Sequence, residues 1–394
     1  MERQVVPRDR YIKTLTGLST DPRIKILYGP KYVGKTVLLG QFQGALMRLG
    51  VDSTAISGIS FDKGFNLVAS SEAFAERMES VCSPSTEYLL IDAVEFVPGF
   101  CDDLQAFHRR HPGIGIYATV TSNCLRPESR MVWREDDPDF VCIPVYPFTF
   151  REYILFRPGD RMQAFDEFLR SGGLPPMYNL SDSGRTVFSE MYTHMVLNTL
   201  TLRESKINPI AMSEILAYIV ANLGRPLTMK EFIENTSIAD NRTLEKYIGH
   251  FVDSQIIQRC KGFQVDRAMK PSVRAVYFPV DVLSGVLFGI EGVKPIPVPV
   301  VMLNIVYIEL RSRGYSPVVL ISKGEILGLG IVVDGEQVLV RVASSVRDDR
   351  SSTTFSSYCS CYMRKVLLTM GDVNPEYGRF NQRNIVDFLL SDVI

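Results

Sequence analysis

The run Gly29-Pro30-Lys31-Tyr32-Val33-Gly34-Lys35-Thr36 spells G-x-x-x-x-G-K-[ST]. These residue types at this spacing suit the wrapping of a polyphosphate. Glycines allow a tight loop whose backbone N–H groups converge on phosphate oxygens. A helix opening at the end of the loop adds a favourable field for an anion. Lys35 supplies a point charge for β- and γ-phosphates, and the Thr36 hydroxyl is a hard oxygen ligand for Mg²⁺. Val37 completes the candidate contact set, Gly29 to Val37. The reading is a nucleoside triphosphate with Mg²⁺, and a strand before the loop and a helix after it are the context that reading requires.

Further on, Tyr88-Leu89-Leu90-Ile91 is an apolar run ending on Asp92. A carboxylate there would hold the Mg²⁺ hydration shell beside Thr36, so Thr36 and Asp92 are the candidate metal residues. Ala93 follows, and a methyl group cannot orient an attacking water. Glu95 takes that role if the chain turns immediately after the strand; otherwise it is a surface carboxylate. Thr121-Ser122-Asn123 ends the next apolar run. Ser122 is a candidate for a γ-phosphate or water contact, and turn residues also follow strands for purely structural reasons. Arg126, Arg130 and Arg134 either include a charge-stabilising arginine or form a solvated basic face. Lys35, Asp92, Glu95 and Ser122 are thus the candidate catalytic residues. Binding is expected more firmly than hydrolysis.

The elements that must position these residues can be read from the hydrophobic pattern. Ile24 to Tyr28 predicts a strand, and Val37, Leu38, Phe42, Ala45, Leu46 and Leu49 follow at helical spacing. Asp102 to Arg110 predicts a helix, and Ile114 to Thr121 and Phe140 to Val145 predict strands. Alternation of this kind predicts an α/β parallel sheet with helices on both faces. From about residue 185 the pattern changes. Helices are expected up to Gly224, over Met229 to Glu234 behind a Thr228 cap, and after Asp240 or Asn241. A hairpin of Ile256-Ile257 with Ala275 to Phe278 would complete a winged helix. After Pro295 to Pro299, a helix from Met302 to Arg313 is expected. Strands at Val318 to Ile321, Gly330 to Val333 and Val338 to Val342 and a helix over Asn384 to Leu390 then form a small α/β domain. The expected domains are 1–183, 184–285 and 286–394, consistent with roughly 100–200 residues per domain in a chain of 394.

Lys plus Arg is 43 against 44 for Asp plus Glu, so no global charge draws the chain to nucleic acid or to a membrane. The cysteines number seven and are scattered, as in a reducing cytosol. Cys359 and Cys361 have no second pair nearby to make a metal site. The start of the chain shows no apolar signal core, and no apolar run reaches the ~18 residues of a membrane helix. A cytoplasmic location is expected.

These motifs together resemble the prokaryotic AAA-type ATPases that carry a C-terminal domain of unknown function with a restriction-endonuclease-like fold. The likeness runs from about Arg8 to Ser345. Beyond the phosphate loop, Pro147-Phe148-Thr149-Phe150-Arg151-Glu152-Tyr153 is similar to the family's Pro-Leu-Ser-Phe-x-Glu-Phe. Gly172-Gly173-Leu174-Pro175 matches its Gly-Gly-x-Pro turn, and Asn304 to Leu310 resembles the opening of the C-terminal domain. The resemblance implies ATP rather than GTP, which no base-reading motif decides. It also marks departures. Ala93 replaces a Glu, Thr121 stands where a Gly precedes Ser122, and Trp133-Arg134 replaces Gly-Arg. Leu303 stands for a Glu, Gly328-Leu329-Gly330-Ile331 for Glu-Ile-Asp-Phe, and Arg341 for Gln or Glu. Metal-dependent nucleases need converging carboxylates, so nuclease chemistry is not expected.

The function expected is that of an ATP-binding protein, a slow ATPase or nucleotide-gated switch acting on a protein partner. A DNA-binding regulator using Arg242, Lys246 and His250, or an interaction scaffold with a vestigial nucleotide site, are the alternatives.

Overall fold

In Ile24-Lys25-Ile26-Leu27-Tyr28-Gly29 Lys25 is the one charged residue among apolar neighbours, and it is buried with them, which marks a strand covered on both faces. A computed structural model, describing residues 5–61, 70–97, 99–121, 138–181, 183–185, 187–188, 191–192, 207–265, 269–281, 296–344, 364–371 and 381–394, places it as the interior strand β1 (Ile24–Gly29). The chain divides into two compact units, Met1–Tyr146 with Asp253–Gln255, and Pro147–Val252 with Ile256–Ile394.

The first unit opens with α1 (Asp9–Gly17), then β1 and α2 (Lys35–Arg48). Next come β2 (Ile56–Ser60), α3 (Ser71–Val81), β3 (Tyr88–Asp92), α4 (Phe100–Arg110), β4 (Gly115–Thr121) and β5 (Phe140–Pro144). The strands form an all-parallel sheet in the order β2-β3-β4-β1-β5. Ile26, Leu89, Ile91, Ile116 and Val120 face Phe74, Leu104 and Phe107 of the helices in one buried cluster. Because strands run parallel, their C-terminal ends share one edge. Gly29, Asp92 and Thr121 all fall there, the usual place for a ligand in an open α/β sheet.

The second unit contains α5 (Phe150–Phe156), α6 (Arg161–Ser171), α7 (Pro209–Ala221), α8 (Met229–Asn235) and α9 (Asn241–Asp253). Thr149 and Glu152 form a capping box on α5, as Thr228 and Glu231 do on α8. The α9 start is held by the Asp240 carboxylate, which accepts the Thr243 N–H. Between α6 and residue 175, Gly172 has φ +71, and a Cβ there would meet the Asp281 carboxylate at 2.5 Å. That carboxylate accepts the N–H groups of Gly173 and Leu174, so the Gly-Gly turn is a structural seat.

Strands β6 (Ile257–Gln264) and β7 (Lys270–Pro279) pair antiparallel after the helices. They do not stand alone. β6 also pairs in parallel with β8 (Val318–Ser322), which continues through β9 (Glu325–Val333), β10 (Glu336–Val342), β11 (Arg364–Thr369) and β12 (Asn381–Asn384). The result is a sheet of order β12-β11-β10-β9-β8-β6-β7. Helix α10 (Val298–Ser312) precedes β8, and α11 (Ile385–Leu390) follows β12. Met302, Val306 and Leu310 of α10 pack with Val319, Leu329, Val340 and Phe388. Helix α10 begins before Met302 because Pro299 sits in its first turn, where the missing N–H costs nothing. No described helix is long and apolar enough to cross a membrane.

Candidate functional site

The loop between β1 and α2 is shaped by two glycines. A Cβ on Gly29 would meet the Val145 carbonyl oxygen at 2.3 Å, so only glycine lets β1 leave the sheet here. Gly34 has φ +90 and caps α2 without a side chain, so the first-turn N–H groups have no side-chain cap. Tyr32, with φ 66, and Lys31 lie at the outer bend, and Tyr32 is exposed. Val33 is wholly buried and anchors the loop from beneath.

The Lys35 ammonium donates to the carbonyls of Gly29 at 3.0 Å and Pro30 at 2.9 Å. It is thereby folded over the loop concavity. The Thr36 hydroxyl donates to the Asp92 carboxylate, 3.0 Å from Oδ1 and 2.9 Å from Oδ2. Asp92 is buried and also accepts the Thr119 hydroxyl at 2.6 Å and the Ser60 hydroxyl at 3.4 Å. Three strands thus fix one carboxylate. A hydroxyl and a carboxylate in contact at a loop of converging N–H groups are the donor set a hydrated Mg²⁺ and a polyphosphate require, so the residues fit both groups.

After β3 the chain turns at once. Ala93 takes φ 61 and ψ 48, a left-handed conformation that costs an alanine about 1–2 kcal/mol. Its N–H donates to the Thr119 hydroxyl at 2.9 Å, which locks the turn. A 3-10 turn over Val94–Phe96 follows and carries Glu95 back toward the sheet edge. Glu95 is no surface carboxylate. Its Oε1 accepts the Thr121 hydroxyl, and its Oε2 is buried with no hydrogen-bond partner among the described residues. Ser122, Asn123, Arg126, Arg130, Trp133 and Arg134 lie outside the described residues, as do Cys359 and Cys361.

One participant has no signature in the sequence. Arg8, 2% exposed, donates from Nη1 to the Val33 carbonyl at 3.1 Å and from Nη2 to the Tyr146 carbonyl at 2.9 Å. Its guanidinium lies 4.5 Å from the Tyr11 ring centroid, and its own N–H donates to Gln41 of α2. The buried guanidinium therefore ties the loop to the segment after β5, and the Arg8 backbone N–H ties the residue to α2. An arginine far from the motif, on no periodic face, offers nothing a pattern could detect.

Leu303 of α10, Gly328 of β9 and Arg341 of β10 line one cavity. Of the basic residues proposed to face DNA, Arg242 is exposed but His250 is buried, and the neighbouring Glu245 pairs with Arg259 at 2.7 Å. His250 cannot reach a phosphate from the core, because its position falls on the helix face that packs inward with Tyr247 and Phe251.

A parallel sheet with a glycine-lysine-threonine loop after the interior strand β1, and an aspartate at the end of β3, the next strand but one in the sheet, defines the class of P-loop nucleotide-binding folds. Within it, residues 21–154 match the family model described as an AAA domain. A curated protein of Haemophilus influenzae, described as uncharacterized, is 24% identical over 384 residues, covering 94% of this chain and 94% of that protein. Among solved structures, a Walker-type ATPase of Pyrococcus abyssi is 13% identical, with 73% of this chain and 96% of that chain covered and a TM-score of 0.49. AMPPCP-bound DnaA from Aquifex aeolicus is 14% identical, covering 61% and 86%, with a TM-score of 0.30.

Proposed function

We propose that the chain binds ATP with Mg²⁺ at Gly29 to Val37 and uses it as a slow ATPase or nucleotide-gated switch on a protein partner. The observation that carries this is the contact of Thr36 with Asp92 at the mouth of the loop. The metal, held by the Thr36 hydroxyl with Asp92 behind it, would supply positive charge to the phosphates. Lys35 exchanges its loop carbonyls for phosphate oxygens, and the backbone N–H groups at the α2 start bind the chain of phosphates. Glu95, rather than residue 93, orients the attacking water, with Thr121 fixing its carboxylate. A general base displaced from the strand end fits slow turnover.

The second unit supplies the part that responds. We read α7, α8 and α9 with β6 and β7 as a winged helix, and residues 286–394 as an endonuclease-like domain without nuclease activity. The missing carboxylates at Leu303, Gly328 and Arg341 favour an interaction role. Single-turnover hydrolysis with excess protein tests the enzymatic half. ADP should form slowly in wild type and not in Glu95→Gln. ATP bound without any ADP formed would reduce the site to a switch.

A further inference from the structure

Among the described residues nothing accepts the Gly34 N–H, so the loop keeps it as an open donor. Its direction is set by the peptide unit to which it belongs. The bond between Val33 and Gly34 is trans and planar, so the Val33 carbonyl and the Gly34 N–H point to opposite sides. Whatever fixes that carbonyl also aims that donor.

Arg8 fixes it. Its Nη1 donates to the Val33 carbonyl at 3.1 Å, while Nη2 donates to the Tyr146 carbonyl at 2.9 Å. The guanidinium is buried against the Tyr11 ring. The backbone behind it is bracketed by one side chain. Gln41 accepts the Arg8 N–H at 2.9 Å and donates to the Val6 carbonyl at 2.7 Å. The fork is therefore held at its base as well as at its tips.

Gly34 makes such a hold necessary. Flipping a peptide unit changes ψ of the residue before it and φ of the residue after it. Gly34 has φ +90, and with no Cβ it accepts φ of either sign, so at this end the flip meets no steric resistance. A flipped unit would aim the Val33 carbonyl where the N–H now points, and an oxygen there would repel phosphate. We infer that Arg8 is a positioning residue for nucleotide binding: by holding the Val33 carbonyl, it keeps the Gly34 N–H turned toward the phosphate chain. The inference rests on the reading of Gly29 to Thr36 as a nucleotide loop.

The test titrates ATP with Mg²⁺ into the full chain by calorimetry, with the melting temperature of each variant taken beside it. Arg8→Lys keeps a cation in place and loses the planar fork. It should bind ATP about tenfold more weakly than wild type, as for loss of one charged hydrogen bond. Arg8→Ala should also bind weakly, and added methylguanidinium should restore its affinity where methylammonium does not. Tyr11→Phe keeps the ring and removes only the hydroxyl that accepts the Tyr146 N–H at 3.0 Å. It should lower the melting temperature and leave the affinity unchanged. ATP binding by wild type that Arg8→Lys and Arg8→Ala both match overturns the inference and leaves the nucleotide reading standing. So does an equal loss in Tyr11→Phe, which would trace the effect to anchoring of the whole segment from Val6 to Tyr11. Absence of ATP binding by wild type overturns both.

Discussion

Thr36 and Asp92, 56 residues apart in sequence, meet through a hydroxyl that lies 3.0 and 2.9 Å from the two carboxylate oxygens. The contact joins the first turn of α2 to the end of β3, across the edge where every parallel strand of the first unit terminates. Asp92→Asn keeps the shape and removes the charge. It should weaken nucleotide binding about tenfold or more in Mg²⁺ and change it little in EDTA, as expected for loss of a charged partner. Equal losses in both conditions, measured by fluorescent-nucleotide displacement, would contradict a role next to the metal.

Glu95 is placed by Ala93 and Thr121. Because a general base contributes roughly 10²–10⁴-fold, Glu95→Gln should cut single-turnover hydrolysis by about 10²-fold or more while leaving nucleotide affinity unchanged. Thr121→Val removes only the hydroxyl that aims the carboxylate. It should lower the rate by a smaller factor and leave binding alone. A rate unaffected by either substitution would make the Glu95–Thr121 bond structural.

How much of this was legible follows the local pattern. β1, α2 and β3 declare themselves through near-continuous or helically spaced apolar residues, broken in β1 only by Lys25, and with them the loop and Asp92. β2 does not, since Ile56-Ser57-Gly58-Ile59-Ser60 has apolar residues only at its first and fourth positions, which matches neither strand periodicity nor a continuous run. α3 buries only Phe74 and Met78, too thin a stripe to see. Glu95 was legible conditionally, because its place hangs on a left-handed Ala93 that no propensity favours. Arg8 and Thr119 were not legible at all. They act through contacts set by tertiary folding, Arg8 on Val33 and Thr119 on Asp92. In the second unit, Asp334 and Gly335 join β9 to β10 with positive φ at both residues, the conformation that an Asp-Gly pair favours in a tight hairpin. The parallel pairing of β6 with β8 was hidden, because it joins segments that sequence pattern assigns to separate domains.

Lys25 tests the interior of the first sheet. It is completely buried, donates to the Asp21 carbonyl, and lies 5.1 Å from the Tyr117 ring centroid. Burial pushes its ammonium down to about 8, against an opposing pull from Asp21. The unfolded chain therefore holds this proton more tightly than the folded one. Between pH 8 and the ordinary lysine range, rising pH should stabilise wild type relative to Lys25→Met. Chemical denaturation of both proteins from pH 7 to 10 checks this. A constant difference across that range would contradict it.

Glu309 and Arg313 form a buried ion pair at 2.6 Å, with side chains 3% and 5% exposed. Arg313 also donates to the Phe388 carbonyl at 3.1 Å, which ties α10 to α11. Removing one partner leaves a buried charge, a loss of about 3–5 kcal/mol. Arg313→Met should lower the melting temperature steeply, and adding Glu309→Leu should recover part of the loss. No recovery in the double variant would place the cost in packing instead of in the pair.

The central claim is that the loop from Gly29 to Thr36 holds a nucleotide. Equilibrium titration of ATP into wild type and Lys35→Ala, with and without Mg²⁺, tests it most directly. Saturable binding strengthened by Mg²⁺ is expected, with a loss on Lys35→Ala of roughly 1.5–3 kcal/mol, the worth of a charged hydrogen bond. No binding by wild type, or binding identical in Lys35→Ala, would contradict it.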